Sequence, residues 1–189
     1  MTRKEQKEER RKAILMTTLR LFVENGYYET KITDIAAAVP MSTGLLFHYF
    51  ASKEELLVEL IKMGIEGTKM ASPEGMGEIP PDKFLEGFLA QLFAYTKEQP
   101  WVFQMFVLMG QARRKGMPEE AHKLALTVDT IESSSKLIAY GQKMKVFHEG
   151  DPLLMSTCFW ASVQGIMEEI AGNPDMPFPD PKWIVAMLR

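Results

Sequence analysis

The chain has 189 residues, 46% apolar and 25% charged, the balance of a soluble globular protein that can bury a sizeable core in one or two domains. Its longest apolar stretches, 101–109 and 153–167, are broken by Gln104, Ser156, Thr157, Ser162 and Gln164 and are too short to cross a bilayer. The net charge of −3 speaks against a nucleic-acid partner only as a sum, because six bases outnumber three acids between Arg3 and Lys12 and the acidity lies further along.

The opening run MTRKEQKEERRK is charged where a signal peptide is apolar, and taken alone it reads as a solvated helix start. A first helix is expected from about Lys4 to Asn25, with Ile14, Thr17, Thr18, Leu21 and Phe22 on its inner face and Gly26 just past its end. Ile32, Ile35, Ala36 and Val39 recur at offsets of three and four, which gives a short second helix. Pro40 ends it, since proline disfavours helical geometry in the residue before it. Ser42 is a good N-cap for a third helix, with Met41 and Leu46 at the two positions of a hydrophobic staple. Ser52 and Glu55 form a capping box for a longer helix that runs to about Lys69. Ala71–Pro81 is rich in glycine and proline and reads as a loop.

Five further helices are expected at about Pro81–Lys97, Pro100–Lys115, Pro118–Met144, Asp151–Ala171 and Asp180–Leu188. No period-two strand pattern and no internal repeat stands out, so the fold class is all-α with about nine helices. The Asp151–Ala171 segment is apolar on nearly every side and carries a strip of small residues, Cys158, Ala161, Ser162 and Gly165. Such a helix is buried on more than one face, either at the centre of its own body or against a second subunit. Cys158, the single cysteine, lies in this apolar pattern and fits a reducing compartment, so a cytoplasmic protein without a membrane partner is expected.

Two short helices joined by a tight turn form the layout of a helix-turn-helix DNA reader. Leu21-Phe22, Gly26-Tyr27, Thr30, Asp34-Ile35-Ala36, Ser42, Gly44, Leu46, His48-Tyr49-Phe50 and Ser52-Lys53-Glu54-Glu55-Leu56 occur in the order and spacing of one family. On these residues, which cover about the first third, the chain resembles the TetR family of bacterial transcriptional regulators. The resemblance implies a three-helix DNA-binding domain at 1–51 and a helical effector-binding and dimerisation domain at 52–189. It also implies a homodimer whose last two helices form the interface, here with Cys158, Ala161, Ser162, Gly165, Trp183 and Met187, although the final helix is short for that role.

Three positions depart from the family pattern. Pro40 stands where glycine is usual and lacks glycine's freedom at positive φ, so the turn is expected to be built differently. Phe47 replaces a frequent tyrosine and its hydroxyl. Lys31 replaces a frequent threonine, which makes Thr30 the expected cap of the second helix.

Helix starts bind phosphates through free N–H groups, so Thr30, Lys31, Thr33, Ser42 and Lys53 are candidate phosphate contacts, with side-chain donors from His48 and Tyr49. Thr43, Gly44 and Leu45, at the front of the third helix, are the candidate base readers. Leu46 and Phe50 belong to the core, and His48 fits either a DNA contact or a place packed under the turn.

An enzyme is not expected. His48, His122 and His148 are scattered without metal-ligand spacing, Cys158 has no nearby base, and no glycine-rich phosphate loop is present, so neither a metal nor a cofactor is implied. Aromatic and methionine residues concentrate between Phe84 and Met109. Such a set is ordinarily core, but the resemblance places an effector cavity among these helices. Phe88, Leu92, Tyr95, Met105, Phe106 and Met109 are the candidate lining for an apolar or aromatic small molecule. Glu132 decides its charge: facing inward it would favour a cationic ligand, facing solvent it leaves neutral and anionic ligands equally open. The expected function is a ligand-responsive regulator, a repressor that leaves a palindromic double-stranded operator when its effector binds. The alternative is a helical ligand-binding or scaffolding protein with degraded operator binding.

Overall fold

The computed structural model describes residues 2–69 and 79–189. Most of the loop expected at Ala71–Pro81 lies outside them. Among the described residues there are ten α-helices, one 3-10 turn and no strand. The all-α expectation is met.

Local chemistry sets the first boundaries. Helix α1 (Arg3–Asn25) opens on a capping box in which the Glu5 N–H donates to Thr2 Oγ1 at 3.2 Å and the Thr2 N–H to Glu5 Oε2 at 2.7 Å. It closes at Gly26, whose φ of +86° suits a residue without a Cβ. Helices α2 (Ile32–Ala38) and α3 (Thr43–Tyr49) are a turn and a half or two each, and α3 is capped by Ser42, whose Oγ accepts from the Leu45 N–H at 3.2 Å. Helix α4 (Lys53–Lys69) begins with the Glu55 N–H donating to Ser52 Oγ at 3.0 Å, while the Glu55 carboxylate reaches back to the Ala51 N–H.

The turn between α2 and α3 departs from expectation. It has the Schellman geometry that a glycine would make: Val39 is the C-cap, Pro40 has φ +27°, and the Met41 N–H donates to the Ala36 carbonyl at 2.9 Å. Packing on either side holds the chain to this path, since Ile35 and Leu46 are both completely buried. Proline therefore carries a φ of the opposite sign to its ring preference, and it has no N–H for the second bond of the motif.

Helices α5 (Pro81–Glu98) and α6 (Trp101–Ala112) match expectation, but the single helix expected over Pro118–Met144 is two, α7 (Glu119–Leu126) and α8 (Thr130–Lys143). Asp129 makes the break by capping α8, its Oδ1 accepting from the Glu132 N–H at 2.8 Å. The carbonyl of Ala125, near the end of α7, accepts from Arg113 at 3.0 Å. Helix α9 (Pro152–Gly172) follows, and α10 (Pro181–Val185) runs into the 3-10 turn Ala186–Leu188.

The chain forms two compact units that cut across a boundary at 51/52. One comprises Met1–Glu66 with Gln104–Leu126, the other Gly67–Phe103 with Thr127–Arg189. The core of the first is built on Ile14, Leu19, Phe22, Ile35, Leu46 and Leu57, all fully buried, each contributing about 1.5–3 kcal/mol. Gly64 lets α6 lie close on α4 there: a Cβ at this position would sit 2.5 Å from Met109 Sδ and 3.1 Å from Met105 Sδ.

In the second unit Phe159, Val163 and Met167 bury one face of α9. Helix α10 packs chiefly on α5, where Arg189 bridges Asp82 at 2.6 Å and Glu86 at 2.5 Å, and the rings of Phe93 and Phe178 stack at 4.6 Å.

Candidate nucleic-acid interface

Helix α3 buries Leu46 completely and leaves Thr43, Gly44, Leu45 and His48 exposed. Phe50, just past its end, is also buried, as expected for a core residue. His48 is not packed under the turn; its ring meets that of the half-buried Tyr49 edge-on at 5.9 Å. Phe47, which sequence reasoning treated only as a lost hydroxyl, is 50% exposed and one turn beyond Thr43. The i, i+4 spacing from Thr43 was the available signal that the two share a face. A row of small and apolar groups on an exposed short helix suits contact with thymine methyls.

At α2 the cap is Lys31, not Thr30. The Lys31 N–H donates to Asp34 Oδ2 at 2.9 Å, and Lys31 and Thr33 are both exposed. Thr30 is only 1% exposed, and its hydroxyl and N–H both turn inward. The hydroxyl donates to Gly26 O at 2.8 Å and lies 3.2 Å from Leu21 O, and the N–H donates to Gly26 O at 3.2 Å. Expectation is corrected here: Thr30 ties the end of α1 to the start of α2 and presents nothing to a phosphate.

Lys53 turns toward its own chain as well. Its ammonium lies 2.8 Å from Tyr27 O, 3.0 Å from Thr30 O, 3.4 Å from Tyr28 O and 4.3 Å from the centre of the Tyr27 ring. Burial lowers its pKa from the usual lysine value, against a smaller opposing effect from Glu29. The same loop is held from its other side, where the Tyr28 hydroxyl donates to the Gly116 carbonyl in the α6–α7 turn.

The basic run at 3–12 is not a loose arm but the first turns of α1. Arg11 is committed within the unit, 2.7 Å from Glu59 Oε2 with its guanidinium 4.6 Å above the Phe50 ring. Its hydrogen bond is the largest cause of the lowered pKa of Glu59.

The candidate effector residues are less uniform than expected. Phe88 and Leu92 on α5 are half-buried, with the Phe88 ring 6.0 Å from Trp160, whose Nε1 donates to Ser134 Oγ at 2.9 Å. Tyr95, by contrast, is 51% exposed. On α6 Met105 is buried, and Phe106 and Met109 are half-buried. Glu132 faces solvent, 3.8 Å from Lys136 on its own helix, which removes the ground for a cationic ligand. Open hollows occur elsewhere, along α4 and α7; the larger, of about 550 Å³, is lined by Glu54, Glu119, Glu120, Lys123 and Leu124.

On α9, Cys158, Ala161 and Gly165 are exposed along one face, and Ser162 is half-buried with its hydroxyl donating to Cys158 O at 3.0 Å. Leu154 is exposed too, as are Trp183 and Met187 on the last turns.

Residues 14–60 match the family model described as bacterial regulatory proteins, tetR family. HbdR, an HTH-type transcriptional regulator of Aromatoleum sp. (strain CIB), is 44% identical over 55 residues, which span 29% of this chain and 24% of HbdR. The TetR family transcriptional regulator PfmR of Thermus thermophilus is 26% identical with a TM-score of 0.70, covering 93% of this chain and 97% of PfmR. AibR, solved in complex with isovaleryl coenzyme A and operator DNA, is similar in fold, with a TM-score of 0.73 at 20% identity over 95% of this chain and 97% of AibR. Residues 14–60 thus carry the sequence of the TetR family's DNA-binding region, and the chain as a whole shares the fold of a solved TetR family transcriptional regulator.

Proposed function

We propose that the protein is a cytoplasmic, non-enzymatic, ligand-responsive repressor that binds a near-palindromic operator as a homodimer. The observation that carries this reading is the exposed face of α3, with Thr43, Gly44, Leu45 and Phe47 free of the core that Leu46 anchors. Lys31, Thr33, Ser42, His48 and Tyr49 flank that face and supply phosphate donors. Retention of the Schellman turn at Pro40 supports operator binding over a scaffold that has lost it.

The exposed strip of α9 with Trp183 and Met187 is the face offered to the second copy, and two-fold symmetry sets half-sites a whole number of helical turns apart. The effector is a small molecule whose buried part is apolar, with Phe88 and Leu92 on α5 as its candidate lining in the second unit. The complex of AibR with isovaleryl coenzyme A supports an acyl group as that apolar part. DNA is released because the ligand prefers the conformation that does not bind it.

Mobility shift on the DNA upstream of the chain's own gene tests the reading. The protein should retard that duplex at concentrations where an unrelated one runs free, and Thr43→Ala should change the preferred sequence more than the salt dependence. Equal, weak retardation of every duplex would leave the scaffold reading.

A further inference from the structure

The residue at the start of α4 is in an electrostatically adverse place. A cation in the first turn of a helix meets the positive end of the helix dipole, so Lys53 needs an anionic or strongly dipolar partner. The structure supplies one from the chain itself. After α1 ends at Gly26, the carbonyls of Tyr27, Tyr28 and Thr30 converge on one point, and the Lys53 ammonium occupies it at 2.8, 3.4 and 3.0 Å. An ammonium has three N–H donors, and three carbonyl oxygens with the Tyr27 ring at 4.3 Å account for all of them. The clamped loop leads directly into α2: Thr30 is pinned to Gly26 by its own hydroxyl, and Lys31 follows as the cap.

We infer that Lys53 is a positioning residue of the DNA-binding unit, whose ammonium clamps the α1–α2 loop and so fixes where α2 presents Lys31 and Thr33, and that it does not neutralise a DNA phosphate. This inference rests on the DNA-binding reading above for its consequence, but not for the clamp itself. An ammonium released to a phosphate would leave three carbonyls of the loop without their donor, which opposes the exchange.

Two substitutions separate the alternatives. Lys53→Met keeps the aliphatic stem and removes the charge. Lys53→Arg keeps the charge for a phosphate, but its flat guanidinium does not fit a site of three converging carbonyls. The measurements are thermal melting, amide exchange over residues 27–35, and DNA affinity across a salt series with the upstream duplex and a random one. The clamp predicts that both variants melt several degrees lower and exchange faster in this segment. Both should bind each duplex about tenfold more weakly, with an unchanged slope of log affinity against log salt.

A Lys53→Met slope reduced by about one, or a Lys53→Arg variant indistinguishable from the parent in melting and affinity, would overturn the inference. If the parent protein binds no duplex at all, the DNA reading fails, and melting and exchange still decide the clamp. If Lys53→Met does not fold, Lys53→Arg carries the test by itself.

Discussion

Pro40→Gly should stabilise this protein, against the usual direction for such a substitution. A proline held at φ +27° is far from its ring preference near −65°, and residues in such sparsely populated regions carry roughly 1–3 kcal/mol of strain. Glycine removes that strain and brings an N–H that can complete the Schellman pair by donating to the Ala37 carbonyl, a bond of about 0.5–1.5 kcal/mol. Acting against it is the unfolded chain, which gains freedom when proline becomes glycine, a loss of stability of roughly 1–2 kcal/mol if the two half-steps add. These ranges sum to between about −0.5 and +3.5 kcal/mol, centred on a gain of about 1.5 kcal/mol, which for a chain of this size raises the melting temperature by about 3–6 °C. Pro40→Ala is the control, because it restores the N–H but puts a Cβ at positive φ; it should fall below glycine. Thermal melting followed by circular dichroism reads all three proteins. A glycine variant that melts at or below the parent, or an alanine variant that matches glycine, would refute the reasoning.

Two further outcomes can be checked directly. Arg189→Ala should lower stability by about 1 kcal/mol, a figure already discounted for screening of a partly exposed guanidinium, and the deficit should depend on pH. Glu86 has its pKa lowered chiefly by the hydrogen bond from Lys83 and also by that from Arg189. For Asp82 burial is the largest single effect and raises it, but the bonds from Arg189 and the Lys83 N–H, with the charges of both residues, together outweigh it, so its pKa too is lowered. Carboxylates depressed in the folded state contribute stability above their unfolded pKa values of 3.8 and 4.5 and lose it as pH falls through the lower folded values. Parent and variant melts should therefore differ at pH 7 and draw together as pH falls through the lowered folded values; a constant gap would remove the ion pairs as its cause. Gly165→Leu, with open space around the position in the single chain, should leave the monomer's melting little changed but shift sedimentation towards monomer, and an unaltered dimer would place the interface elsewhere.

What the sequence made legible follows from how far each determinant reaches. The caps at Ser42 and Ser52 and the glycine at 26 act within four residues, so the starts of α3 and α4 and the end of α1 could be read directly. Leu46 and Phe50 were assignable to the core because helical periodicity fixes their side of the chain. The partners of Thr30 and Lys53 were not legible because they are carbonyls brought up by folding, and a polar side chain at a helix start looks the same whether it faces a phosphate or its own backbone. Asp129 was missed as a cap because the apolar rhythm of 118–144 continues through it. At Pro40 a sound rule about proline gave the wrong turn, since core packing on both sides outweighed the local preference.

The bond from the Tyr28 hydroxyl to Gly116 joins residues 88 apart, and so bears on how the DNA-binding unit comes into being during synthesis. Residues up to the end of α3 carry the helix-turn-helix, yet the loop that leads into it is fastened on one side by a carbonyl not yet polymerised when those helices form. At roughly 5–20 residues per second, about 4–18 s separate the appearance of Tyr28 from that of Gly116. Through that interval the nascent chain holds the loop through Thr30 and Lys53, and the Tyr28 ring, 63% exposed even in the finished fold, has its edge contact with Tyr27 to place it. The protein thus completes its DNA-binding unit only after the ribosome has moved through α6, which links maturation of the reader to arrival of the helix expected to sense the ligand.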